Sequence, residues 1–311
     1  MIRRHIAPLL CLLPGLVLAD TPESDMPTLK PLEGTRLVLL GTGNPNPDPQ
    51  RMGPAVAVVA DDRAYLVDCG TGVVRRANAA YKRHGLQALR PDRLDRVFVT
   101  HLHSDHTLGL DDLILTPWVM GREQPLEAHG PPGLQKMVDG LLAAYAEDIR
   151  NRLEGNQPAT PEGHKVRVRE VKPGQVFRDD RVTVRAFAVK HGAWKHAYGY
   201  RLDTEDRSIV ISGDTVAQDS VVRACSGCDV LVHEVYARAG FDQRSKEWQA
   251  YHAASHTSGP ELGGIAKRAR PKLLVLYHHL LWGATVEQLL AEIRAGGYEG
   301  EIAFGNDLDT F

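Results

Sequence analysis

The stretch His101-Leu102-His103-Ser104-Asp105-His106 places three imidazoles and a carboxylate within six residues, directly after a strand-like run over residues 96–100. At a strand end alternate side chains point the same way. His101 and His103 can therefore share one cation, while Asp105 and His106, past the turn, can reach a second. Neutral imidazole and carboxylate donors suit two Zn2+ ions, with Mn2+ or Fe as substitutes in such a nitrogen and oxygen site. A dinuclear centre needs further ligands, best supplied from strand ends where rigid backbone aims them. His191 follows a strand-like run over 182–190, Asp214 one over 209–213, and His278 closes one over 273–277. Each alone is more often structural; together they complete a seven-residue set. His196 competes with His191 and His279 with His278, and spacing alone does not separate them.

The elements that must position these residues are legible from apolar patterning. Residues 36–40, 55–60, 64–67, 96–100 and 126–129 predict strands, with a helix over 71–83 capped by Thr71, a short helix over 108–115 and a longer one over 134–153. Strands resume at 166–171, 182–189, 198–203 and 209–212. Helix and strand then alternate: 220–224, 230–233, 261–269, 273–277, 286–294 and 301–303. Strands followed by alternation, once before about residue 165 and once after it, predict an α/β protein of two similar halves. Packed face to face, their sheets make a four-layer αββα sandwich. A doubly wound nucleotide-binding fold would alternate from the start, which this chain does not. The Gly41-Thr42-Gly43 turn lacks the Lys-Ser/Thr of a phosphate-cradling loop.

Arg3 and Arg4 precede an apolar run over 7–18 that ends Val17-Leu18-Ala19, the pattern of an export signal over residues 1–19. A loose arm follows over 20–33 and one large domain over 34–311, and the chain is expected in the periplasm or secreted. The run is short for a bilayer span and no other stretch is long enough, so no membrane association is expected. With Arg3 and Arg4 removed from 37 basic residues, 35 face 39 acidic ones, giving no global attraction to nucleic acid. Cys69, Cys225 and Cys228 are too few for a disulfide framework. Cys225-Ser226-Gly227-Cys228 reads as small residues at a helix end, with a disulfide open to it in an oxidising compartment.

Together these stretches resemble the metallo-β-lactamase fold superfamily, and most closely its ribonuclease Z and arylsulfatase-like branch. The likeness rests on Leu39-Leu40-Gly41-Thr42-Gly43, Val67-Asp68-Cys69-Gly70, the six-residue histidine stretch, Ala197-Tyr198-Gly199-Tyr200 after His191, Ser212-Gly213-Asp214-Thr215, His233-Glu234, His256-Thr257-Ser258 and Leu276-Tyr277-His278. The resemblance implies that His101, His103 and His191 hold one zinc, that Asp105, His106 and His278 hold the other, and that Asp214 bridges them. It also implies proton handling by His256 and Glu234, with Asp105 accepting a hydrogen bond from the attacking hydroxide. Where that family has Glu-Ala-Thr, this chain has Glu234-Val235-Tyr236.

Substrate choice follows from departures. Pro47-Asp48-Pro49-Gln50-Arg51-Met52 stands where ribonuclease Z has a Pro-x-Lys-x-Arg-Asn loop, keeping Arg51 but neither the Lys nor the Asn. Residues 134–163 carry Lys136, Arg150 and Arg152 against Asp139, Glu147, Asp148, Glu154 and Glu162, unlike an RNA-binding arm. The expectation is therefore an exported hydrolase of a small anionic ester, a phosphodiester or aryl sulfate, with Arg51 as a substrate contact and nucleic acid disfavoured. The alternatives are a lactonase or β-lactamase-type hydrolase, or a true tRNA 3′-processing endonuclease. Trp118, Trp194, Trp248 and Trp282 are candidates for an aryl pocket or for core packing, and a homodimer is compatible with the sequence.

Overall fold

The structure, a computed structural model, describes residues 34–311; the expected leader over 1–19 and the arm over 20–33 lie outside the described residues. The first sheet begins with antiparallel strands β1 (Arg36–Gly41), β2 (Ala55–Ala60) and β3 (Arg63–Val67). It continues in parallel through β4 (Arg96–Phe98), β5 (Leu126–Gly130) and β6 (Val166–Glu170). The second repeats the plan. Strands β7 (Gly174–Arg178), β8 (Thr183–Ala188), β9 (Tyr198–Asp203) and β10 (Ser208–Ile211) pair antiparallel, then β11 (Val230–Tyr236), β12 (Leu273–Leu280) and β13 (Glu301–Phe304) add in parallel to β10.

The period of two along each strand sorts its residues between two cores. Leu37, Leu39, Val56 and Val58 face Tyr200, Ile211, Val232 and Val275 across the gap between the sheets. Their neighbours Val38, Leu40 and Ala57 turn outward onto α1 (Val73–His84), which buries Val73, Val74, Ala77 and Ala80. The same layer of the first half holds α2 (Ser104–Thr107), α3 (Leu110–Val119), α4 (Leu134–Ala144) and α5 (Ala146–Glu154). In the second half α6 (Asp219–Cys225), α7 (Arg238–Phe241), α8 (Lys246–Ser255), α9 (Gly259–Ala269) and α10 (Val286–Ala295) follow. Val210, Leu231, Leu274 and Leu276 pack outward against Val221, Leu262, Ile265 and Leu289 of this set. The order is helix, sheet, sheet, helix. Strands covered on both faces carry near-continuous apolar runs, such as Ala55–Ala60.

The C-terminal tail returns to the first half. Leu37 N donates to Phe311 O at 3.0 Å, Phe311 N to Leu37 O at 2.9 Å, and Leu39 N to Asp309 O at 3.0 Å, so the exposed edge of β1 is covered. Cys225 and Cys228 form a disulfide at the end of α6, where Ser226 takes the left-handed conformation. Among the described residues no helix is long and apolar enough to cross a membrane.

Three expectations differ in detail. The helix over 134–153 breaks at Tyr145, whose hydroxyl donates to Asp111 Oδ2 at 2.9 Å, a tertiary tie that outweighs the continuous apolar period. α1 starts after Gly72, in the left-handed region, rather than with Thr71 as its cap. Strand β7 and helices α7 and α8 were not expected.

Candidate metal centre

The strand ends converge. His101 lies just past β4, Asp68 past β3, His191 past β8 and Asp214 past β10, while Glu234 lies on β11 and His278 on β12. Binding sites of sheet proteins gather at such ends. His278 arrives by a local irregularity: Glu234 pairs with Tyr277 but Val235 pairs with His279, so His278 is an extra residue in β12. Its φ of 48° belongs to the left-handed region. A bulge of this kind re-aims one side chain. His279 instead stacks on Phe304 at 3.9 Å, with Nε2 2.9 Å from Leu276 O, which distinguishes the neighbours that spacing could not.

Two four-residue groups result, each with ligand atoms within 4.8 Å of one another: His101, His103, His191 and Asp214; and Asp105, His106, Asp214 and His278. Asp214 belongs to both. Its Oδ2 is 3.9 Å from His101 Nε2, 3.8 Å from His191 Nε2 and 3.4 Å from His278 Nε2, and its Oδ1 is 3.3 Å from His106 Nε2. His278 Nε2 also lies 3.2 Å from Asp105 Oδ2. His196 enters neither group. A third set, Glu234, His256 and His278, adjoins them.

The donor set fits cations. His191 Nδ1 lies 2.7 Å from Ser255 O, and His106 Nδ1 lies 2.8 Å from Asp68 Oδ2. Both partners accept, so both imidazoles carry their proton on Nδ1 and turn an Nε2 lone pair inward. His101 Nδ1 lies 3.0 Å from Thr100 Oγ1, which itself donates to Asp68 Oδ2 at 2.9 Å, with the same result. Inside the site, His101 Nε2 and His191 Nε2 each approach His103 Nδ1 at 3.0 Å, while buried His106 Nε2 and Asp214 Oδ1 have no hydrogen-bond partner. Buried lone pairs facing one another call for a positive ion. His103 differs, because Trp194 Nε1 donates to its Nε2 at 2.8 Å. Loading its Nδ1 requires the proton to move to Nε2 and the indole to give way.

Electrostatics follow from enclosure. Burial, then the neighbouring His106, holds His101 well below the ordinary imidazole range. Burial opposes charge on His106, but Asp214, Asp105 and Asp68 outweigh burial and hold it well above that range, so a cation bound there takes the place of its Nε2 proton. Glu234 is pushed up to about 8 by burial and then by Asp214. Glu234 Oε1 accepts from Thr215 N at 3.1 Å and Thr257 N at 3.0 Å, and stands 3.4 Å from His256 Nδ1. The two residues expected to handle protons are thus neighbours beside Asp214.

Arg51 is placed elsewhere. Its guanidinium donates to Thr42 Oγ1 at 2.7 Å, Gly305 O at 3.2 Å and Asn306 Oδ1 at 3.0 Å, over the Phe304 ring, and so ties the 44–54 loop to the C-terminal segment. The tryptophans divide. Trp118 is core, its Nε1 donating to Thr160 O at 2.8 Å; Trp194 covers His103; Trp248 and Trp282 line a cavity beside His256. Tyr251, His252 and Arg244 of that cavity went unnamed in the sequence reading, although an aromatic repeat at positions 248, 251 and 252 was there to be seen.

Residues 63–279 match the β-lactamase superfamily domain. The chain is 35% identical over 276 residues to ribonuclease Z of Mycobacterium bovis (strain BCG / Pasteur 1173P2), covering 88% of this chain and 96% of the relative. It is 36% identical over 282 residues to that of Mycobacterium marinum, covering 88% and 96%. Similar folds include a metallo-β-lactamase fold protein of Bacillus subtilis (TM-score 0.66, 20% identity, 90% of this chain and 100% of that one) and the short form of human tRNase Z (TM-score 0.63, 24% identity, 89% and 98%). The chain is a metal-dependent hydrolase of the metallo-β-lactamase superfamily. Within it, the chain belongs to the ribonuclease Z family.

That membership corrects the expectation that nucleic acid is an unlikely partner, since the relatives spanning almost the whole chain are named for cutting RNA. The charge count concerned the total and one helical segment, and the expected export rested on residues outside the described ones. Neither constrains the surface beside the metal centre.

Proposed function

We propose that this chain is an endonuclease that hydrolyses RNA phosphodiester bonds, in the manner of precursor-tRNA 3′ processing, using two metal ions. The carrying observation is that Asp214 belongs to both four-residue groups, which suits a paired-metal centre for displacement at phosphorus. The ribonuclease Z relationship over 88% of the chain supports RNA as the substrate and lends nothing to the aryl sulfate, lactone or β-lactam readings. Zinc is the ion proposed, on the strength of five imidazoles and two carboxylates in the two groups.

Metal ions held there supply Lewis-acid activation of water and neutralise charge on the phosphoryl group. The protein's own residues do the rest. Asp68 holds the tautomers of His106 directly and of His101 through Thr100. In this reading Asp105 accepts a hydrogen bond from the attacking water. Hydrolysis adds the water oxygen to phosphorus and breaks the bond to a sugar oxygen, which takes a proton from His256. Glu234, fixed by two backbone N–H groups, orients His256 and shares its proton.

The test is cleavage of a precursor tRNA carrying a 3′ trailer by the purified, zinc-loaded protein, with a bis-aryl phosphate, an aryl sulfate and a lactone as comparators. We expect cutting of the RNA at its 3′ side, abolished by His256→Ala. Turnover of a comparator with the RNA left intact would overturn the reading.

A further inference from the structure

Beside the metal centre lies a cavity of about 590 Å³, within the roughly 300–1,000 Å³ of small-ligand sites. His256 forms one wall and so joins this space to Glu234 and Asp214. The opposite walls are aromatic. Helix α8 contributes Trp248, Tyr251 and His252 at helical spacing on one face, and Trp282 comes from the segment after β12. The His252 ring lies 4.4 Å from Trp282 and 5.5 Å from Trp248, nearly parallel to the latter. Trp282 keeps its place at a φ of 46°, a left-handed conformation uncommon for a bulky residue.

Two features say what this space takes. Trp248 is 49% exposed and Tyr251 43% exposed, so large apolar rings open to solvent at the mouth of a polar centre. Flat aromatic faces at such a position stack on unpaired bases of any sequence. The Arg244 guanidinium lies 5.4 Å from the Trp248 ring centre and 5.5 Å from that of Trp282, and its buried Nε has no protein partner. A cation against the same rings suits a ring that carries phosphate next to it.

We infer that this cavity is a stacking subsite for one unpaired nucleobase flanking the scissile phosphate, with the Trp248 ring as its platform, Tyr251 standing nearly at right angles to it as a side wall, and Arg244 facing the adjoining phosphate. This rests on the endonuclease reading and adds a positional demand to it: the base next to the cut must be free to leave its helix.

The test pairs two enzymes with two RNAs, Trp248→Ala against the native protein, and a cleavable precursor against the same RNA with abasic residues on both sides of the cut. Stacking on one aromatic predicts a roughly tenfold to hundredfold loss of kcat/KM for the native protein on the abasic RNA. Trp248→Ala should lose a similar factor on the intact RNA and little more on the abasic one, with Trp248→Phe restoring most of it and metal content unchanged. Independent, multiplying losses, or equal cleavage of both RNAs by the native protein, would overturn the subsite while leaving the endonuclease standing. Failure of the native protein to cut either RNA would take down both.

Discussion

Asp68 is the residue on which the hydrogen bonds of the centre converge. Its carboxylate accepts from Thr100 N at 2.7 Å, Thr100 Oγ1 at 2.9 Å and the His106 ring at 2.8 Å, from a backbone φ of 61° that few residues other than Gly, Asn and Asp adopt. Neutral imidazole ligands need acceptors behind them, and Asp68 stands in the Val67-Asp68-Cys69-Gly70 stretch on which the family resemblance rests. His129 was not singled out, and it carries a different consequence. It is buried against Phe98 at 4.8 Å and Phe177 at 5.6 Å, and neither ring nitrogen has a partner. Burial lowers its pKa from 6.5 to about 4. The unfolded chain therefore binds a proton that the folded chain refuses between those values. The stability this contributes is complete above pH 6.5 and is lost as the pH falls toward 4. In the metal-free protein, His129→Phe should flatten the fall in unfolding free energy between pH 7 and 4.5 by roughly 2 kcal/mol, measured by urea titration. An unchanged slope would show that His129 does not drive it.

At the scale of elements, the strands were readable because two-sided burial leaves apolar runs such as Ala55–Ala60 and the Val230-Leu231-Val232 start of β11. What escaped was set by tertiary contact. Strand β7 is half exposed, so its apolar residues are sparse. The face of α8 turned to the cavity carries Trp248, Tyr251 and His252 rather than aliphatic residues, so an aliphatic period is missing there. The extra residue in β12 has no signal in spacing or patterning, and only the family resemblance of Leu276-Tyr277-His278 points to His278 rather than His279 as the imidazole that turns into the centre. The bulge implies that His278 serves the ligand role and not the packing of β12. His278→Asn, a residue tolerant of positive φ, should lose the ion held by Asp105, His106 and His278 and shift the urea midpoint of the metal-free protein by little, within about 1 kcal/mol in stability. Full metal content in that variant, or collapse of its fold, would count against the assignment.

The whole molecule is two similar halves, packed sheet against sheet, whose ligands meet at the centre. The first sheet supplies His101, His103, Asp105 and His106, and the second supplies His191, Asp214 and His278. Each cation group draws two ligands from the first half and one from the second, and Asp214 of the second half is common to both groups. The fold could be read from repetition of the strand and helix order, and the ligand set from strand ends together with family resemblance. The choice of substrate could not, because whole-chain charge says little about one cavity beside one centre. The most direct measurement is metal content per chain, by elemental analysis, of the purified protein and of Asp214→Ala, alongside RNA cleavage. The account predicts two ions in the native protein, one for each four-residue group, and one or none with no cleavage in the variant. Two retained ions and undiminished cleavage in Asp214→Ala would contradict it.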